Sequence, residues 1–65
     1  MPIVNIKMIA GRNAETKRVL AEKVTTAVAD SLGVKPSAVW LVIEDMQPEN
    51  FAQDGILMVD KKHEP

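Results

Sequence analysis

The stretch from Ala14 to Leu32 constrains this chain most, because it is long, helical in period and flanked on each side by one short strand pattern. Leu20, Val24, Ala27, Val28 and Leu32 follow helical spacing, while Lys17, Arg18, Glu22, Lys23 and Asp30 fall largely elsewhere. The spacing predicts an amphipathic helix of about five turns at 3.6 residues per turn. Asn13 serves as its N-cap, since a side-chain oxygen there accepts from an early helical N–H, and Glu15 suits the positive helix end. Gly33 is the expected left-handed residue after the last turn, and Pro36 prevents continuation.

Ahead of the helix, Ile3 to Ile9 alternates: Val4, Ile6 and Met8 share an apolar face, and Ile3, Asn5, Lys7 and Ile9 share a mixed one. Behind it, Ala38 to Glu44 reads as a second strand, with Val39, Leu41 and Ile43 opposite Trp40, Val42 and Glu44. A strand, a long helix and a second strand make a βαβ unit, whose crossover is right-handed in nearly all cases, so the two strands should be parallel. The helix is then expected to cover Val4, Ile6, Met8, Val39, Leu41 and Ile43. Beyond Pro48, which marks a turn, Asp54-Gly55 is a hairpin dipeptide because both residues tolerate positive φ. Ile56 to Val59 reads as a short strand set on a neighbouring subunit, and Asp60 to Pro65 as a frayed, solvated tail. The predicted fold class is α+β: one domain over residues 1–65, a single βαβ unit with parallel strands and a C-terminal β-hairpin, assembled into oligomers.

The oligomer follows from size and chemistry together. A 65-residue chain buries too small a fraction of its surface to be comfortably stable alone. Small domains compensate with disulfides, a metal or association, and this sequence has no Cys and one His, His63 in the tail. Two strands under one helix also leave both sheet edges open to pairing with another chain.

Composition narrows the function. Eight Lys and Arg balance nine Asp and Glu without forming a stripe, which speaks against nucleic-acid binding. The aromatic residues are Trp40 and Phe51 alone, too few for a base-stacking platform. No N-terminal stretch has the zones of a signal peptide, and no apolar run approaches the roughly 20 residues that span a bilayer, so no membrane partner and a cytoplasmic location are expected.

The chemistry concentrates at the start, Met1-Pro2-Ile3-Val4-Asn5-Ile6-Lys7-Met8-Ile9-Ala10-Gly11-Arg12. Methionine is normally trimmed before a small residue, and the mature chain would then begin with the secondary amine of Pro2. An ordinary α-amino group has a pKa of about 7.7–8.0, and a nearby cation or an apolar pocket lowers it by disfavouring the protonated form. Arg12 offers the cation, and Ile3, Ile9 and Phe51 offer apolar walls. A base poised near the working pH is what general acid–base catalysis needs. Each part alone has a plainer reading: Pro2 an incidental second residue, Arg12 a solvated turn residue, Phe51 core or interface, Lys7 a solvated face, Trp40 interface packing, and Glu44 a strand-end charge.

The combination is more specific. Met-Pro, a short strand, Gly-Arg, a long amphipathic helix, a second strand and an aromatic residue before a Gly turn resemble the 4-oxalocrotonate tautomerase family from Pro2 to about Val59. The resemblance implies a cofactor-independent isomerase, an intramolecular oxidoreductase interconverting keto and enol groups, with no cofactor and no metal. It implies Pro2 as the catalytic base that moves a proton between carbons of an enol or unsaturated 2-keto acid, as in aromatic catabolism. It implies Arg12 as the group that holds a substrate carboxylate and Phe51 as an apolar wall that keeps the proline amine neutral. Family subunits assemble as dimers and commonly as hexamers, with each site built from neighbouring subunits, so self-association and a carboxylate-bearing small molecule are the expected partners.

One departure bears on substrate. Trp40 stands in the second strand where the best-known members carry a second, carboxylate-binding arginine, and Trp offers one N–H donor, a large apolar surface and no charge. Trp40 is therefore read as substrate-binding, with a monocarboxylate or aromatic enol favoured over a dicarboxylate. The segment Ala52-Gln53-Asp54-Gly55 also departs from the Gly-rich hairpin of the family. The alternative from another class is a non-catalytic oligomeric module that binds small molecules on the same scaffold.

Overall fold

The computed structural model describes residues 1–61. β1 (Ile3–Ile9) and β2 (Trp40–Met46) pair in parallel over their full length, from Ile3 opposite Trp40 to Ile9 opposite Met46. Between them α1 (Ala14–Leu32) makes the crossover, so the βαβ unit is as expected. Its boundaries obey the caps: the Asn13 side chain accepts from the Thr16 N–H at 2.9 Å, and Gly33 ends the helix in the left-handed conformation.

The second strand starts two residues later than the alternation suggests and runs two residues further. Pro36 to Ala38 instead form a single 3-10 turn, closed by Ala38 N–H to Lys35 O at 2.9 Å and Val39 N–H to Pro36 O at 3.1 Å. Proline's fixed φ suits the first position of such a turn, and a turn conformation withdraws Ala38 from the ladder. At the other end Asp45 and Met46 stay paired because β1 still offers Met8 and Ile9 as partners.

Alternation gives the two-stranded sheet a covered and an open face. Val4, Ile6, Met8, Leu41 and Ile43 are partly buried beneath α1. Ile3, Ile9, Trp40 and Val42 lie on the open face, from 44 to 63 % exposed. The helix turns Lys17, Leu20, Ala21, Val24, Thr25, Val28 and Ala29 inward, a stripe at the i, i+3, i+4 spacing of one helix face. This corrects the expected stripe in detail: Ala27 and Leu32 are exposed, and Lys17 belongs to the inner face. Among the described residues Ala29 alone is buried, which leaves the core thin for an isolated chain.

After β2, Pro48 to Asn50 make a second 3-10 turn, and β3 (Ala52–Gln53) pairs antiparallel with β4 (Ile56–Leu57). Asp54 and Gly55 form the turn at φ 57° and 76°, the pair of positive values that a two-residue hairpin of right-handed twist requires. The expected strand from Ile56 to Val59 is thus shorter, and it pairs within its own chain. Met58 to Asp60 wind into a 3-10 turn, closed by Lys61 N–H to Met58 O at 3.1 Å. Asp60 therefore belongs to the folded part rather than to the expected tail, and residues 62–65, with His63, lie outside the described residues. Among the described residues no helix is long and apolar enough to cross a membrane.

Candidate functional site

The four residues singled out by sequence fall into two groups at opposite ends of the sheet. Pro2 precedes the first paired residue of β1, and its carbonyl accepts the Trp40 N–H at 3.0 Å. That bond ties Pro2 to the start of β2, the step before the ladder proper. Pro2 is partly covered, and Trp40, with Ile3 beside it on the open face, is 57 % exposed.

Arg12 lies past the other end of β1, exposed in the short connection from Ala10 to Asn13 that leads to α1. That connection is tightly bracketed. Upstream, Ala10 N–H donates to Met46 O at 2.9 Å, and downstream Asn13 caps the helix and its carbonyl accepts the Lys17 N–H at 3.2 Å. Gly11 between them sits at φ 134°, a backbone conformation strained for any residue with a Cβ, so glycine there lets the chain reverse at once. Phe51 belongs to the segment following β2, partly buried, with its carbonyl accepting the Met58 N–H at 2.9 Å. That segment folds back on the open face at the Ile9 end, where Ile9, Pro48, Met58, Val59 and Lys61 line a shallow groove of about 300 Å³. The Lys61 ammonium donates to Gln53 Oε1 at 2.8 Å.

Six residue steps separate Ile3 from Ile9, and at about 3.3 Å per step the two ends of β1 are roughly 20 Å apart. Within one chain, then, Pro2 and Arg12 do not reach one small substrate. The apolar walls divide likewise, with Ile3 at the Pro2 end and Ile9 and Phe51 at the Arg12 end.

Two features escaped the sequence reading. One is the groove, whose walls come from segments with no shared period. The other is an ion pair between the Lys17 ammonium and the Asp45 carboxylate, which joins the first turns of α1 to the end of β2. A signal for it was present: Lys17 lies three residues before Leu20 on the same helix face, and Asp45 shares the parity of Leu41 and Ile43.

This architecture has close counterparts. Residues 2–61 match the family profile described as tautomerase enzyme. A probable tautomerase of Bacillus cereus is 41 % identical over 61 residues, covering 94 % of this chain and all of that one. Among solved structures, YwhB, a homologue of 4-oxalocrotonate tautomerase, superposes with a TM-score of 0.90 at 38 % identity over 94 % of this chain and 100 % of its own. A heterohexamer 4-oxalocrotonate tautomerase from Chloroflexus aurantiacus gives 0.87 at 31 % identity, over 95 % of this chain and 100 % of its own. The chain belongs to the 4-oxalocrotonate tautomerase family, a tautomerase in fold and in ancestry.

Proposed function

We propose that the chain, once Met1 is removed, is a cofactor-independent tautomerase of enols or unsaturated 2-keto acids, with Pro2 as general base and Arg12 as carboxylate anchor. Family membership supports the reaction class, and the placement of Pro2 carries the assignment of the base. Its carbonyl is held by the Trp40 N–H at the head of a paired strand, so the ring that would bear the free amine is fixed to the sheet. With Met1 attached that nitrogen is an amide and has no basic lone pair. Met1 is 82 % exposed, so its removal leaves no void behind.

The separation of Pro2 from Arg12 dictates how a site is assembled. Two copies related by a two-fold axis present the same edge to each other, and strands joined that way run antiparallel. The Pro2 end of one copy then lies beside the Arg12 end of the next. One site combines Pro2 and Trp40 of one copy with Arg12, Ile9 and Phe51 of another, and a dimer holds two such sites. That the Chloroflexus relative is a heterohexamer supports association of subunits on this scaffold.

In such a site Arg12 pairs with the substrate carboxylate and draws electron density toward it. The Pro2 nitrogen takes a proton from the enol hydroxyl or from an acidic carbon and returns it at the conjugated carbon, so the proton count is unchanged. The apolar walls of Ile9 and Phe51 favour the neutral amine by disfavouring its charged form. Trp40 contributes an apolar surface and one N–H where a second cation would otherwise bind carboxylate, which favours an aromatic or monocarboxylate enol.

The test joins intact mass with kinetics. Mass spectrometry is expected to find the chain without Met1. Ketonisation of 2-hydroxymuconate and phenylenolpyruvate by Pro2→Ala is expected to fall by about 10²-fold or more, the usual contribution of a positioned base. Unchanged ketonisation in Pro2→Ala would sink the mechanism. Tight binding of enol acids without turnover in the processed protein would favour the binding-module reading instead.

A further inference from the structure

α1 faces the sheet with an apolar stripe whose first member is a cation. Of its first six residues, Ala14 to Val19, only Lys17 is not exposed, and the apolar contacts of the helix begin at Leu20. The beginning of α1 therefore meets the sheet through one side chain. Lys17 ends at the Asp45 carboxylate, on the penultimate residue of β2 and opposite Met8 in the ladder. The neighbouring Met46 carbonyl receives the Ala10 N–H. Two consecutive residues of β2 thus hold the two sides of the Gly11-Arg12-Asn13 connection, one through the strand and one through the helix. Arg12 sits between these two ties.

We infer that Lys17 and Asp45 are positioning residues for Arg12: their ion pair sets where the guanidinium is presented to a substrate carboxylate. This rests on the reading of Arg12 as carboxylate anchor. Gly11 makes the connection pliable, and without the ion pair the start of α1 would be guided only from Leu20 onward, more than one turn away. Losing the pair then widens the range of Arg12 positions and weakens carboxylate binding, while proton transfer at Pro2 is left largely alone. By contrast, Arg18 on the solvent side of the same turn pairs with Glu15 at 3.0 Å, both well exposed, and has no tie to the sheet.

Steady-state ketonisation of phenylenolpyruvate by the processed full chain, at one protein concentration, tests this with Lys17→Met, Arg12→Ala, their double variant and Arg18→Met. Lys17→Met keeps the apolar stem and removes the charge. It is expected to raise KM about tenfold with kcat within about twofold, as a misplaced binding group does. In the Arg12→Ala background it is expected to raise KM no further, because residues that act through one another are not additive. Arg18→Met is expected to match the parent. The charge-exchanged pair Lys17→Asp with Asp45→Lys should recover most of the lost KM, and it decides the matter should Lys17→Met fail to fold. An unchanged KM in Lys17→Met beside a raised KM in Arg12→Ala overturns the positioning role and leaves the anchor standing. Equal effects of Lys17→Met with and without Arg12 overturn it as well, since the pair would then be merely structural. An unchanged KM in Arg12→Ala removes the anchor and this inference together.

Discussion

Trp40 is tied to Pro2 through the backbone bond that pins the Pro2 carbonyl, while its side chain lies on the open face in register with Ile3. The backbone role is indifferent to side-chain identity, so Trp40→Arg should keep the fold while changing what the site prefers. A charge-assisted hydrogen bond contributes about 1.5–3 kcal/mol, roughly ten- to a hundredfold. Trp40→Arg is therefore expected to raise kcat/KM for the dicarboxylate 2-hydroxymuconate about tenfold relative to phenylenolpyruvate, the ratio to be measured on the same preparation. Arg12 differs in kind, being exposed, so the position of its connection decides what its side chain can reach. Pro2 and Arg12 were legible as candidates in the sequence because a proline after Met1 and a Gly-Arg at a strand end are local features. Their separation was not, because the sequence reads Arg12 as the cation beside Pro2, and only the full-length pairing of β1 with β2 sets the two at opposite ends. The ion pair that brackets Arg12 was legible only as a shared helix face and strand parity, because it joins residues 28 positions apart whose meeting is set by the packing of α1 on the sheet.

The elements keep to the local rules of the chain. Asn13 caps α1 through one side-chain bond to the Thr16 N–H, and removing it leaves that donor to water. Asn13→Ala is expected to cost about 1 kcal/mol, read as a lower thermal midpoint at fixed protein concentration, by about 4–8 °C for a domain of this size. At the hairpin, Asp54 at φ 57° tolerates a conformation that penalises a β-branched residue. Asp54→Val is expected to destabilise by about 1–2 kcal/mol, whereas Asp54→Gly should leave the denaturation midpoint nearly unchanged. Helix caps, strand periods and the two-residue turn were therefore readable from sequence. The start of β2 was not, since Val39 satisfies the strand pattern as well as the end of a 3-10 turn. Met58 and Val59 misled in the same way: apolar residues after a hairpin look like more strand, and here they turn back to wall a groove.

At the scale of the molecule, one covered sheet face and, among the described residues, a single buried side chain leave Ile3, Ile9, Trp40 and Val42 open to water. If the open face stays solvated, Val42→Lys is an ordinary surface change worth no more than about 0.5 kcal/mol. If a second copy covers it, the lysine is buried without a partner and assembly fails. We expect the second outcome, with loss of the oligomer in sedimentation and loss of helical circular dichroism together. Dilution of the parent protein should abolish ketonisation and secondary structure over the same concentration range; a folded, active monomer would contradict this.

The sequence by itself determined the elements, their order, the parallel pairing and the family, because these follow from period, capping and chirality, which act over a few residues or over one crossover. Tertiary structure alone decided that Lys17 faces inward to meet Asp45, that the last segment folds against Ile9, and that Pro2 and Arg12 stand at opposite ends of a rigid strand pair. Those relations depend on how α1 rotates over the sheet and where paired strands stop, which are set by contacts between distant parts of the chain.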